Sequence, residues 1–345
     1  MTFADRVIAW HARHGRHDLP WQGTRYPYRI WLSEVMLQQT QVAAVLPYYT
    51  RFVDAYPDVG ALARAPIDDV LALWSGLGYY RRAHHLHAAA RAIVERHGGV
   101  FPKDAATLAA LPGIGRSTAA AIAAFASGER NAILDGNVKR VLARHRAIEG
   151  WPGTPKVEVM LWHEAEALLP DTGIEAYTQG MMDLGATVCL RSRPRCDMCP
   201  VREDCLARIE HRIGELPTPR PAKVLPHRDV RVLVIERDGA LLFEKRPAAG
   251  IWGGLWSLPE CALADDACTV VRTRFGADVD VRDALPAIEH GFTHYALTMY
   301  PQRLHAAQWP QAAHESVTAW LTPKDALRAG LPSPIRKLVL GLQAL

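Results

Sequence analysis

Apolar residues recur at helical spacing over the first 214 residues. The stretches Val7–His14, Ile30–Tyr49, Val70–Leu73, Ala83–His97, Ser117–Ser127 and Val157–Leu168 are predicted helices. Glycine and proline divide them at Gly76–Gly78, Gly98–Gly99 and Pro112–Gly115. Leu216–Pro226 then carries Pro217, Pro219, Pro221 and Pro226. Such a run favours extended backbone and cannot continue a helix, so it reads as a linker. Beyond it the period changes. Arg231–Glu236 is aliphatic and β-branched and predicts a strand. Asp238–Gly239 signals a hairpin turn, with Ala240–Arg246 as the return strand. Further strands are expected at Ala287–His290, His294–Leu304 and Ser316–Leu321, and a helix at Asp266–Phe275. Ser333–Pro334 offers a cap and a first-turn proline for a last helix to about Leu342. The pattern predicts an all-α domain over 1–215, a linker over 216–226 and an α+β domain over 227–345.

The length of 345 residues suits two domains. At 49% hydrophobic and 22% charged, the chain is not disordered as a whole. The longest apolar run, near Ala119–Ala126, is far below the roughly 18 residues that cross a bilayer. Met1–His17 has no signal-peptide core, so a cytoplasmic protein is expected, without a membrane partner. A net charge of +4, from 40 basic and 36 acidic residues, is too small to point to nucleic acid.

The cysteines are more specific. Cys189, Cys196, Cys199 and Cys205 follow a Cys-x6-Cys-x2-Cys-x5-Cys spacing, while Cys261 and Cys268 lie far off as packing thiols. In a large chain without an export signal, clustered thiols read as metal ligands rather than disulfides. Zinc and an iron–sulfur cluster both accept four cysteines, and spacing alone does not choose. The intervening Arg191, Arg193 and Arg195 suit phosphate contact, or simply a solvated basic loop.

Leu111-Pro112-Gly113-Ile114-Gly115 lies between two helical patterns. Gly113 and Gly115 allow a tight turn, and the helix that follows would aim free N–H groups at a phosphate. On its own, such a turn is more often a plain interhelical connection. Asp135, after the apolar pair Ile133–Leu134 and before Gly136, is either a helix N-cap or a carboxylate facing a cleft. Glu34 stands in an otherwise apolar helix beside Trp31, Val35 and Leu37; burial there would keep it protonated, as a general acid requires. Glu34, Gln38 and Gln41 are expected to share one helical face.

The hairpin, the later aspartate and the cysteine spacing together resemble the helix-hairpin-helix superfamily of DNA base-excision glycosylases. The cysteines match its iron–sulfur members, the endonuclease III group. Within it the chain is most similar to the A/G-specific adenine glycosylases of the MutY type. The resemblance is carried by Leu19-Pro20-Trp21, Trp31–Thr40, Gly76-Leu77-Gly78-Tyr79-Tyr80, Leu111–Ala119, Leu134–Arg144 and Met181–Leu184, and it extends over nearly the whole chain.

The resemblance implies a monomeric enzyme with a 4Fe-4S cluster on the four cysteines. Its partner would be double-stranded DNA with an A:8-oxoguanine or A:G mismatch. Glu34 would protonate the adenine at N7, Asp135 would stabilise the sugar cation or trap it covalently, and Asn137 would assist with hydrogen bonds. Gln38 and Gln39 would read base edges, and Gly113 and Gly115 would hold phosphate. Tyr79 would wedge into the duplex beside the oxidised guanine. Ser117 stands where lyase-type relatives carry a lysine; a hydroxyl forms no Schiff base, so an abasic site and no strand cleavage are expected. The alternatives are a pyrimidine-lesion glycosylase-lyase and a non-enzymatic iron–sulfur DNA-binding protein.

In the second domain, Gly254-x5-Glu260 begins like a Nudix pyrophosphatase box. Its acidic continuation is absent, since Cys268-Thr269-Val270-Val271-Arg272-Thr273 stands there. Magnesium-dependent hydrolysis is therefore not expected. What remains resembles the Nudix-like domain by which this family recognises 8-oxoguanine, with His294 of Phe292-Thr293-His294 as the probe of the oxidised purine.

Overall fold

The computed structural model describes residues 1–310 and 318–343. Helices come first in the chain: α1 (Phe3–His14), α2 (Pro27–Leu37), α3 (Val42–Ala55), α4 (Val59–Arg64), α5 (Ile67–Trp74), α6 (Arg81–His97), α7 (Ala105–Ala109), α8 (Arg116–Ser127), α9 (Gly136–His145), α10 (Pro155–Ala167) and α11 (Ile174–Asp183). A π-helical turn, Leu184–Val188, leads into the cysteine loop, which ends at α12 (Leu206–Ile209). Then follow β1 (His227–Arg237), β2 (Ala240–Lys245), β3 (Trp256–Ser257), β4 (Glu260–Cys261), α13 (Ala267–Phe275), β5 (Asp280–Ala284), β6 (Ile288–Gly291), β7 (Ala296–His305), β8 (Thr318–Leu321), α14 (Pro323–Ala326) and α15 (Ser333–Leu342). No helix among the described residues is long and apolar enough to cross a membrane.

The architecture is thus a helical half followed by a mixed sheet with helices. The chain forms two compact units that interleave in sequence. One is Met1–Ala63 with Ala88–Ala222; the other is Arg64–His87 with Lys223–Leu345.

In the first unit, α1 packs on α11 and α2 on α8. Its core joins Val7 and Trp10 of α1 to Ala120 and Ala124 of α8, Leu142 of α9, Leu161 of α10 and Met181 of α11. Alanine dominates the buried face of α8, which lets neighbouring helices approach closely. Arg144 of α9, almost fully buried, fastens the start of the proline-rich segment by donating from Nε to the Leu216 carbonyl at 2.7 Å.

The periodicity of Ile30–Tyr49 overstates one helix. Two helices stand there, broken over Gln38–Gln41, with Gln39 in the left-handed region at φ 56°. The break falls on the polar run Gln38-Gln39-Thr40-Gln41, where no apolar side chain can anchor another turn. Glu34, Gln38 and Gln41 therefore do not share a helical face.

In the second unit, β1 and β2 form the expected hairpin. Asp238 and Gly239 both take positive φ, as a two-residue hairpin turn of matching twist demands. The strand order is β3-β2-β1-β7-β5, with β1 and β7 parallel and the other pairs antiparallel; β4 pairs with β1, β6 with β7 and β8 with β2. One face is packed by Phe243, Met299, Ile335 and Val339, the other by Leu233, Val271 and Phe275 of α13. Ser316, expected to open the strand now seen as β8, lies outside the described residues. The cap of α15 is Pro332, so Ser333 is the first helical residue rather than the cap.

Candidate active site

Asp135 takes the first of the two roles its sequence setting allowed, that of a helix N-cap. It caps α9, with Oδ1 accepting the Val138 N–H at 2.8 Å. Its other oxygen, Oδ2, accepts from Asn137 Nδ2 at 3.2 Å. Burial pushes the Asp135 carboxyl up, and the bonds from Val138 and Asn137 oppose that rise.

Glu34 projects from α2 between the fully buried Trp31 and the buried Val35. Its own surface is partly open, yet desolvation of the carboxyl pushes its pKa up to about 8, and the charge of Asp135 adds to that shift. The structure thus brings Glu34 and Asp135 into electrostatic contact.

The surroundings of Asp135 are fixed from three sides. Ser117 Oγ accepts the Leu134 N–H at 2.9 Å, which ties the residue before Asp135 to the first turn of α8. Arg140 Nη2 donates to Asn137 Oδ1 at 2.9 Å and to the Gly185 carbonyl at 2.7 Å, while Nε donates to the Cys189 carbonyl at 2.6 Å. Gly185 allows this closeness: a Cβ there would stand 2.5 Å from Asn137 Cβ. Arg140, Arg144 and Gly185 were not singled out from the sequence. Their partners are carbonyls and backbone distant along the chain, and the one available signal was Arg140 three residues after Asn137 on a capped helix.

The hairpin joins α7 to α8. Gly113 takes φ 74°, outside the range of most side-chain-bearing residues, and Gly115 caps α8 with open space beside its Cα. Both glycines are exposed, leaving the α8 N-terminus accessible to an anion. Gln38, at the end of α2, donates from Nε2 to Thr118 Oγ1 at 3.3 Å, and Gln39 beside it is exposed.

All four clustered cysteines are partly buried free thiols and line one pocket with His145, Val141, Val188 and Arg144. Arg144 organises this loop. Nη1 donates to the Leu190 carbonyl at 2.7 Å and lies 3.4 Å from Cys189 Sγ, and Nη2 donates to the Arg191 carbonyl at 3.1 Å. Burial pushes the Cys199 thiol up to about 12, and the other three sulfurs act in the same direction. Among the described residues, no three His, Cys, Asp or Glu side chains converge closely enough to hold a single metal ion. Four sulfurs lining one pocket are compatible with a sulfur-ligated group. Arg191, Arg193 and Arg195 are exposed on the same loop.

The other predicted residues lie in the second unit. Tyr79 is 47% exposed while Tyr80 is buried, so the dipeptide divides between surface and core. His294 is exposed in the turn between β6 and β7, at the edge of an aromatic group formed by Trp252, His290, Phe292 and Tyr295. Glu260 is paired with Arg246 at 2.9 Å, and α13 offers no acidic partner for a cation beside it.

The chain is similar to known DNA repair proteins. The profile of the HhH-GPD superfamily of base excision DNA repair proteins matches residues 32–166, and that of the NUDIX domain matches residues 231–340. Adenine DNA glycosylase of Buchnera aphidicola from Acyrthosiphon pisum is 33% identical over 98% of this chain and 96% of its own length. The Homo sapiens adenine DNA glycosylase is also 33% identical, over 98% of this chain and 73% of its own. Among solved structures, a thermostable thymine-DNA glycosylase aligns with a TM-score of 0.53 at 27% identity, covering 60% of this chain and 95% of that one.

Proposed function

The chain belongs to the adenine DNA glycosylase family of base-excision enzymes, and from that premise we propose that it hydrolyses the N-glycosidic bond of adenine mispaired with 8-oxoguanine or guanine, leaving an abasic site. Breaking that bond places positive charge on the sugar and negative charge on the departing base. Two carboxyl groups in unlike states meet both demands. Glu34, held protonated, donates its proton to adenine N7. Asp135, ionised and held by the Val138 N–H and the Asn137 amide, stabilises the sugar cation until water adds to it. The observation that carries this reading is the unequal carboxyl pair, with Glu34 pushed up to about 8 beside a hydrogen-bonded Asp135.

Chemistry on a stacked base requires its extrusion from the duplex. Gly113, Gly115 and the α8 N-terminus hold phosphate, Gln38 and Gln39 read base edges, Tyr79 fills the space in the stack, and His294 meets the oxidised purine. The absence of an amine at Ser117 supports hydrolysis without a Schiff base. Cys189, Cys196, Cys199 and Cys205 would hold a 4Fe-4S cluster, whose contribution when bound is a rigid cross-link of the loop 189–205. Arg140 and Arg144 join that loop to the helix capped by Asp135.

The test is single-turnover cleavage of a duplex with a central adenine opposite 8-oxoguanine, guanine, thymine or cytosine. Abasic product opposite the two purines is expected. No product from iron-replete protein in stoichiometric excess would refute the assignment. Borohydride trapping as efficient as that of a lyase would refute the monofunctional mechanism.

A further inference from the structure

Tyr79 presents an exposed ring on a left-handed backbone, at φ 49°. Strain of this kind at a non-glycine residue persists where the surroundings over-determine it. Part of the restraint is local. Trp74 Nε1 donates to the Gly78 carbonyl at 3.0 Å, and the buried Arg82 guanidinium lies over both the Trp74 and Tyr79 rings.

A further part comes from a peptide unit far along the chain. Ser75 Oγ donates to the Leu331 carbonyl at 3.1 Å and accepts the Leu331 N–H at 3.4 Å. The Tyr80 hydroxyl donates to the same carbonyl at 2.8 Å and accepts the Gly76 N–H at 3.1 Å. Both legs of the Ser75–Tyr80 turn are therefore fixed to Leu331. That residue is itself immobilised, with its side chain fully buried in one core of the sheet, just before α15. Gly330 is wedged so tightly that a Cβ would stand 3.2 Å from Leu71 and from Leu255. The flanks are fastened too: Lys245 Nζ lies 2.6 Å from Asp68, and His84 Nε2 lies 2.9 Å from the Gly253 carbonyl.

We propose that Ser75 and Tyr80 are positioning residues through which the C-terminal fold sets the Tyr79 ring for its contact with duplex DNA. The inference rests on the reading of Tyr79 as a DNA-stacking side chain. It gives the C-terminal fold a second task besides any ligand of its own, that of bracing a recognition element supplied by the helical part of the sequence. It also separates two adjacent tyrosines by the part each uses, the ring of Tyr79 and the hydroxyl of Tyr80.

The experiment compares the full-length parent with Tyr80→Phe, Ser75→Ala/Tyr80→Phe, Tyr79→Ala and Tyr79→Ala/Tyr80→Phe. Backbone hydrogen exchange without DNA is expected to rise about tenfold over Gly76–Arg82 in the double variant. Affinity for an A:8-oxoguanine duplex should weaken by about tenfold, more than the single-turnover rate at saturation, and Tyr80→Phe should add less than about twofold in a Tyr79→Ala background. Unchanged exchange, or losses that combine fully, overturns the proposal; Ser75→Ala alone serves if the double variant does not fold. Parent-like affinity in Tyr79→Ala overturns the DNA-stacking reading, and is told apart from a failed brace because the exchange measurement contains no DNA.

Discussion

The charge of Asp135 makes Glu34 harder to ionise, adding to a burial effect that already pushes its carboxyl up to about 8. The excision rate should therefore be high where Glu34 is protonated and Asp135 ionised. It should fall on the alkaline side near pH 8 and on the acid side above the usual carboxylate range, because burial also raises Asp135. Single-turnover rates across pH measure both limbs. Asp135→Asn removes the neighbouring charge, so its residual activity should lose the alkaline limb at lower pH than the parent. A parent rate flat through pH 8 would remove Glu34 from the role of acid.

The same carboxyl weakens the fold. A raised pKa means that the native state holds a proton the unfolded chain has released, so stability falls as pH rises from about 4.5 to about 8. Glu34→Gln should abolish excision, retain mismatch binding and stabilise the protein by about 1–2 kcal/mol at alkaline pH, with little gain at acidic pH. Urea denaturation at two pH values checks this; a variant less stable than the parent at alkaline pH would contradict it.

Asp183, at the end of α11, is fully buried and accepts from Arg16 N at 2.8 Å, Nε at 2.8 Å and Nη2 at 2.6 Å, and from Gln179 Nε2 at 2.8 Å. Arg16→Met should cost about 3–5 kcal/mol, because it leaves a buried carboxylate short of its cation. Denaturant midpoints measure the loss, and a variant within about 0.5 kcal/mol of the parent would be inconsistent with it. Since Asp183 adjoins the π-turn that carries Gly185, excision should slow as well.

Cys199→Ser removes the sulfur most affected by burial among the four. Iron content and visible absorbance should drop together, and proteolysis within the loop 189–205 should accelerate. A colourless parent carrying stoichiometric zinc would replace the iron–sulfur assignment with a zinc site.

Much of this was legible in the sequence for specific reasons. The cysteine spacing, the Asp238–Gly239 turn and the capping aspartate are local features whose meaning survives without tertiary context. The break after Leu37 was not legible, because the apolar period resumes in phase at Val42. Arg140 and Arg144 were hidden because a guanidinium that serves carbonyls 45 to 72 residues away looks like any surface arginine. Tyr79 and Tyr80 look alike as letters; only packing against Leu331 divides them.

The tie between Ser75 and Leu331 spans 256 residues of chain, which has a consequence for synthesis. At ribosomal rates of about 5–20 residues per second, α5 waits roughly 13–50 s for its carbonyl partner to be made. During that interval Leu71 lacks the Gly330 neighbour it has in the finished fold. The segment Arg64–His87 belongs to the same compact unit as Lys223–Leu345, most of which is made only later. The emerging chain is thus most exposed to misassociation between the completion of α5 and the arrival of α15, and truncations short of Leu331 should yield protein that aggregates through this segment.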